Sequence, residues 1–371
     1  MSEILQPGAG PIPGDHYLPA TAATVLWGRL PCEADAAVLR VSSGATVTVD
    51  TVSHEGLLPD QGQDPLGYFG GHGVAADAVL ADAIEIAASV PRDADTDGPH
   101  VVTGPIHVEG AEPGDLLKIT VVSLVPRVPY GVISSRHGRG ALPGQLPRGP
   151  VDVSVFTPTE DGFGRLPLAE GAERSVTFPL APFLGTMGVA VAGQDRPHSV
   201  PPGSHGGNLD INLLVEGAAL YLPVQVPGAL AYVGDPHFAQ GDGEVALTAL
   251  EASLRATLRL EVVPRAEALR EFGDLAGPLV RTSEYLVPTG LDPDLGEAMR
   301  KAVRAALDLL HARYGMEEHL AYAYLSAATD FDISQVVDIV CGVHARIREA
   351  DFAAVVAAPA PPPAPPGQEM S

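Results

Sequence analysis

Cysteine is almost missing from this 371-residue chain: there are two, Cys32 and Cys341. So few, so far apart, exclude a disulfide framework and point to a reducing compartment. Basic residues are scarce as well. Lys and Arg number 22 against 46 Asp and Glu, for a formal net charge of −24. A phosphate-binding surface needs clustered Lys and Arg, so nucleic acid is excluded as a partner and an anionic membrane surface is disfavoured. A small neutral or cationic ligand suits the acidity, as does solubility alone. No apolar run is long enough to span a bilayer. The N-terminal stretch MSEILQPGAGPIPGD has neither the basic nor the apolar region of a secretory signal, so a cytoplasmic protein is expected. Catalytic motifs are missing too: no G-x-S-x-G elbow, phosphate loop or dinucleotide turn, and no H-E-x-x-H. Neither cysteine has the surroundings of a thiol nucleophile. Covalent catalysis is thereby disfavoured, and a metal-activated water becomes the leading chemistry.

What is present describes a folded β-rich protein. Hydrophobic residues make up 46% and charged ones 18%, which argues against disorder. The 41 glycines and 36 prolines spread along the chain favour short strands joined by tight turns over long helices. Apolar alternation predicts strands at 37–41, 45–52 and 116–125, the last with Leu117, Ile119, Val121 and Ser123 on one face. Further strands are expected at 175–180, 188–191, 212–215, 218–226 and 228–233, with two or three more in 243–264. Residues 75–89 read as an amphipathic helix, and 126–175 as a long loop folded over a site. Helices are predicted at 294–313, with Leu295, Met299, Val303, Leu307 and Leu310 on one side and Gly315 ending it, and at 317–328. The expected organisation is an N-terminal extension (1–20), a β-rich half with one helix (21–175), a second β half carrying the site loops and helices (176–350), and a proline-rich disordered tail (353–371).

Two glycine-rich segments carry the chemistry. GDPHFAQGDGE (234–244) sets Asp235, His237, Asp242 and Glu244 among glycines that permit tight turns. Carboxylate and imidazole at such spacing suit a hard or borderline divalent ion. Glu244 opens an apolar strand and is placed to be a general base, although Asp242 in the same turn could exchange roles with it. GSHGGNLD (203–210) offers His205, Asn208 and Asp210, either as ligands and carbonyl-polarising groups or as caps of local amides. Asp50 and His54 end a strand in VDTVSHEG, His100 precedes another, and His137 sits among Arg136 and Arg139. For these the bland alternatives are a solvated strand end, a satisfied buried histidine and a surface loop.

The segments TGPIHVEGAEPGDLL (103–117), PFLGTMGVA (182–190), GSHGGNLD, LYLPVQVPGAL (220–230) and GDPHFAQGDGE, with DISQVVD (332–338), together resemble the acetamidase/formamidase family in order and spacing. The resemblance covers roughly residues 20 to 345. It implies hydrolysis of a short amide to carboxylate and ammonia by metal-dependent water attack. It also implies a largely β fold with jelly-roll or sandwich and barrel-like portions, small α/β elements and C-terminal helices, and a homo-oligomer. By motif, His205, Asn208, Asp210, Asp235, His237, Asp242 and Glu244 match family positions, and related members carry an acidic residue at Asp50. The expected assignment is Glu244, Asn208 and Asp242 in catalysis, His205, Asp210, Asp235, His237 and Asp50 on the metal, and His54, His100 and His137 near the substrate or behind the ligands. Imidazole among carboxylates favours zinc over calcium. Two departures bear on the substrate: Leu26 in TVLWG, where many members have histidine, and the stretch EGLLPDQGQDPLGYFGGHGV. The alternatives are a lactamase acting on a small cyclic amide, and a non-catalytic jelly-roll module that binds a small polar ligand.

Overall fold

The computed structural model describes residues 4–356. Strands account for 36% of the residues and helices for 19%, a mainly β protein as expected. One sheet has nine strands, in the order His16–Leu18, Thr46–Asp50, Leu254–Val263, Leu116–Pro126, Ala219–Pro223, Leu279–Arg281, Tyr285–Asp292, Cys341–Arg348 and Asp330–Gln335. The second has eleven, with Tyr130–Ser135, Leu250–Glu251, Ala231–Ala239, Phe183–Gly188 and Gly206–Asn208 as consecutive neighbours. Both sheets interleave distant parts of the chain: Thr46–Asp50 pairs with Leu254–Val263, and Val101–Glu109 with Ala231–Ala239. Neither closes into a barrel.

The period-2 geometry of strands sorts side chains into layers. On Leu116–Pro126, the alternate residues Leu117, Ile119 and Val121 enter an apolar cluster shared with Phe183, Leu184, Met187 and Phe238 of the second sheet. Leu116 faces the other way, toward Phe272, Leu309 and Leu310. Leu220 and Leu222 repeat this against Ala219 and Tyr221. The result is sheet on sheet, with a helical layer outside the nine-stranded sheet.

That layer is led by the helix Leu295–Tyr314. The Asp294 carboxylate caps it by accepting the Glu297 N–H at 2.8 Å, and Gly315 ends it in the left-handed region at φ 65°. Its fully buried stripe differs from the predicted one: Ala298, Ala302, Ala306, Leu309 and Leu310 face the sheet, while Met299 is exposed. The reason is close approach. A Cβ on Gly290 would lie 2.1 Å from the Ala298 carbonyl oxygen, so only small residues fit at this crossing. The second predicted helix is present as Glu318–Ala328.

Other differences follow turn geometry. The helix expected over 75–89 divides into a 3-10 turn, Ala76–Ala78, and the helix Ala81–Ser89. Residues 212–215 form no strand, and the strand expected at 188–191 ends earlier, as Phe183–Gly188. Within 126–175 the longest loop is 136–152, with a shorter one at 168–174; Tyr130–Ser135, Val153–Glu160 and Phe163–Pro167 are strands. The short helix Ala353–Val356 closes the described part, and the rest of the proline-rich segment lies outside it. No helix among the described residues is long and apolar enough to cross a membrane.

Candidate metal and catalytic site

The strand expected to end at 233 runs on to Ala239, so Asp235 and His237 sit on a strand rather than in a loop. It pairs with Phe183–Gly188 in a register that sets Leu184 opposite Pro236 and Phe183 opposite His237. Gly185 therefore lies under the cluster. A Cβ there would be 2.4 Å from Asp210 Oδ1 and 2.7 Å from Asp235 Oδ2, so glycine is what leaves room for the carboxylates. On the other edge His237 faces Glu251 of Leu250–Glu251.

Five buried acids converge here: Asp210, Asp235, Glu244, Glu251 and Asp338. His237 Nε2 lies 3.1 Å from Asp235 Oδ2 and 3.0 Å from Glu251 Oε1, and makes a hydrogen bond to neither. Its Nδ1 is 3.1 Å from Gln240 Oε1. His54 Nδ1 is 3.5 Å and His100 Nε2 3.9 Å from Asp235, the two imidazoles edge to face. Glu55 pairs with His54 at 3.3 Å and with Arg136 at 3.1 Å. His54, His100, Asn208, Asp235, Glu244, Glu251 and Asp338 line a cleft of about 420 Å³, with Arg92, His137, Arg139, Asp152 and His198 also on its wall and His237 and Asp210 just behind.

Three of the acids hold backbone conformations that side chains avoid: φ is 49° at Asp210, 50° at Asp235 and 47° at Glu244. Such strain of order 1–3 kcal/mol per residue persists where the surrounding structure enforces it, and it concentrates at functional sites. The electrostatics are equally unusual. Burial, then the charges of Asp338, Glu251 and Asp235, hold the Glu244 carboxyl well above its ordinary value. Burial and the neighbouring acids raise Asp210 likewise, and burial pushes Asp338 up to about 7. Asp235 goes the other way: burial opposes its charge, but His100 and His237 outweigh that and keep it ionised. Burial also opposes a charge on His237, and Glu251 and Asp235 raise it nonetheless.

This donor set fits a divalent cation. Among the described residues, no Lys or Arg lies within salt-bridge distance of the five acids. Both oxygens of Asp210, and Asp235 Oδ1, Glu251 Oε2, Asp338 Oδ2 and His237 Nε2, are buried without a hydrogen-bond partner. Uncompensated buried carboxylates cost several kcal/mol each, and a cation removes that cost. Three overlapping triads have ligand atoms within 4.8 Å of one another: His54–His100–Asp235, Asp210–His237–Glu244 and Asp235–His237–Glu251.

Of the residues anticipated from sequence, the fold gathers Asp210, Asp235, His237, Glu244, Asn208, His54 and His100, and leaves His137 exposed on the cleft wall. Three lie elsewhere. Asp50 belongs to a separate ion network, held by Arg255 at 2.6 and 2.9 Å and by the Tyr17 hydroxyl at 2.6 Å, because it is the register partner of Arg255 in the nine-stranded sheet. His205 packs beside Gly203 and Gly207, since left-handed glycines at 206 and 207 turn the chain between it and Asn208. Asp242 is exposed and accepts from Asn212 Nδ2 at 3.1 Å; Gly243, at φ 99°, turns the chain between it and Glu244. Glu251, Glu55 and Asp338 were not anticipated. Their signals were a lone carboxylate in the apolar run 245–254, an acid beside His54, and the closing residue of DISQVVD.

The model of the Acetamidase/Formamidase family matches residues 182–347, the stretch containing most of this site. A predicted acetamidase/formamidase from the thermophile Thermoanaerobacter tengcongensis superposes with a TM-score of 0.72 at 26% identity, covering 92% of this chain and 98% of that one. Over residues 182–347 the chain is similar to the acetamidase/formamidase family. The chain is 31% identical to an acetamidase from Mycolicibacterium smegmatis over 42% of its own length, and spans about half (51%) of that relative. It is 25% identical to a formamidase from Methylophilus methylotrophus, covering 67% of this chain and 75% of the relative.

Proposed function

We propose that this protein is an amidohydrolase that cleaves a small linear amide to carboxylate and ammonia with the help of a divalent ion, zinc rather than calcium. The observation that carries this reading is the set of unpartnered carboxylate and imidazole atoms lining the cleft and just behind it. The names of the family relatives supply the bond class. Asp235, His237 and Glu251 would hold the ion, with Asp210 beside them, and the imidazole favours zinc. When bound, the ion supplies positive charge that polarises an amide carbonyl and acidifies a water.

The remaining work belongs to the chain. Glu244, its carboxyl held well above its ordinary value by burial and neighbouring charge, is a stronger base than a free carboxylate. It takes a proton from the attacking water and returns it to the departing nitrogen. The Thr186 hydroxyl donates to Asn208 Oδ1 at 2.7 Å, which orients the amide and leaves Nδ2 as a donor for the developing oxyanion. His54 and His100 flank Asp235 and hold it ionised.

The test is hydrolysis of formamide, acetamide and propionamide, read as ammonia release, against that of five- and six-membered lactams, read as the ring-opened amino acid, with the zinc-loaded protein. Turnover confined to lactams moves the substrate class; none on any amide leaves a binding module instead. Chelation should stop turnover while the far-UV spectrum is kept. An ion whose removal unfolds the chain would be structural.

A further inference from the structure

Asp242, turned away from the cleft, has neighbours of its own. It meets Asp332 of the strand Asp330–Gln335 and His344 of the strand Cys341–Arg348, with one ligand atom from each within 4.8 Å of the others. Asp332 and His344 are direct cross-strand partners, so the sheet register fixes two of the three. His344 is buried at 1% exposure, and its Nδ1 is 2.8 Å from the Ser334 hydroxyl. That contact orients the ring and leaves Nε2 without a hydrogen bond, with Asp332 Oδ2 as a neighbour at 4.0 Å. A hydrogen bond at one ring nitrogen with the other presented inward is how metal-binding histidines are held. Asp242 shows the same division: Oδ1 takes the Asn212 amide, and Oδ2 is left over. Asp332 is held from the side by Arg346, whose Nε stands 2.6 Å from Oδ2 in an ion pair.

We propose that Asp242, Asp332 and His344 form a second divalent-cation site, distinct from the cluster around His237, that takes an ion of zinc-like softness and clips the Glu244 turn to the C-terminal strand pair. One imidazole with two carboxylates and room for water is a zinc-type donor set. Bonds of that class place ligand atoms about 3.4 Å apart in a tetrahedron, so the Asp332 and Asp242 side chains both rotate toward His344 Nε2, which now lies 4.0 Å from Asp332 Oδ2. The clip has backbone reinforcement. The Gly243 N–H donates to the Ser334 carbonyl at 3.0 Å, and the Val336 N–H to the Gly243 carbonyl at 3.3 Å. An ion bridging Asp242 to Asp332 and His344 would therefore stiffen the turn that aims Glu244 into the cleft. The proposal stands whether or not the cleft hydrolyses amides.

Zinc counted by elemental analysis after equilibrium dialysis tests it. Wild-type protein should keep one more zinc per chain than Asp332→Asn, Asp242→Asn or His344→Asn. The double variant Asp235→Asn/His237→Asn, lacking the central cluster, should retain that extra zinc. In this double variant, zinc should raise the melting temperature, and adding Asp332→Asn should abolish the rise. If His344→Asn does not fold, the exposed Asp242→Asn carries the comparison. Zinc counts that match wild type in Asp332→Asn and Asp242→Asn would overturn the proposal. So would a double variant that binds none.

Discussion

Two buried polar clusters lie in this protein, and they are built on opposite principles. Around Asp50, carboxylate and guanidinium are matched: Arg255 grips it with two nitrogens, Tyr17 donates to it, and Arg127 bridges to Asp82 at 2.7 Å. Around Asp235, five acids meet imidazoles but no guanidinium, donor atoms are orphaned, and three backbones are strained. A buried carboxylate by itself therefore says little. What marks a functional site is a carboxylate left incomplete, because a matched ion pair is already at its electrostatic minimum and has nothing to offer a ligand.

The sharpest break in that comparison is expected at Glu244. Glu244→Gln should keep metal occupancy and lower kcat by roughly 10²–10⁴, the usual worth of a positioned acid–base group; a fully active variant would remove it from the mechanism. In the matched cluster the effect should fall on stability alone. Asp50→Asn strands the Arg255 guanidinium and should cost about 3–5 kcal/mol in chemical denaturation, with zinc content and turnover per folded molecule unchanged. Loss of zinc there would mean that the two clusters are one. Gly185→Ala should act chiefly on the site, weakening zinc affinity by about 10–100-fold, the range for disturbing a ligand's support, on top of the roughly 1–3 kcal/mol that overpacking costs the metal-free protein.

The smallest effect concerns pH. Burial raises the Asp338 carboxyl from 3.8 to about 7, so the folded metal-free chain holds a proton that the unfolded chain releases earlier. The stability this contributes is complete below the ordinary value and is lost as pH rises through about 7. Metal-free wild type should thus lose more stability between pH 4 and 7 than Asp338→Asn does. Equal slopes, measured by denaturant titration, would contradict the assignment.

Much of this was legible in the chain. Turn residues and alternation located most strands, since a strand's two faces and its bounding glycines are local properties. The same holds for the capped helix ending at Gly315. The strand over Ala231–Ala239 was cut short in the reading because GDPH looks like a turn. In the fold, its edges are paired on both sides, by Phe183–Gly188 and by Val101–Glu109, and that pairing overrides local preference. The buried face of the helix Leu295–Tyr314 was displaced for a similar reason: contact with Gly290 selects alanines, and hydrophobicity alone cannot announce a close crossing.

For the site, sequence alone determined the chemistry on offer: Asp235, His237 and Glu244 close together, Asp210 and Asn208 just upstream, and glycines to turn them. Only tertiary structure decided which of these meet. Glu251 reaches His237 through strand register, and Asp338 arrives from a segment near the C-terminal end. Asp50 is drawn off by Arg255, its partner across a sheet from 205 residues away. Asp242 and Glu244, two positions apart, point to different neighbours because of one left-handed glycine between them. Residue type and spacing are carried by the chain itself, but electrostatic completion depends on which charges long-range pairing brings within a few ångströms, and that is a property of the fold.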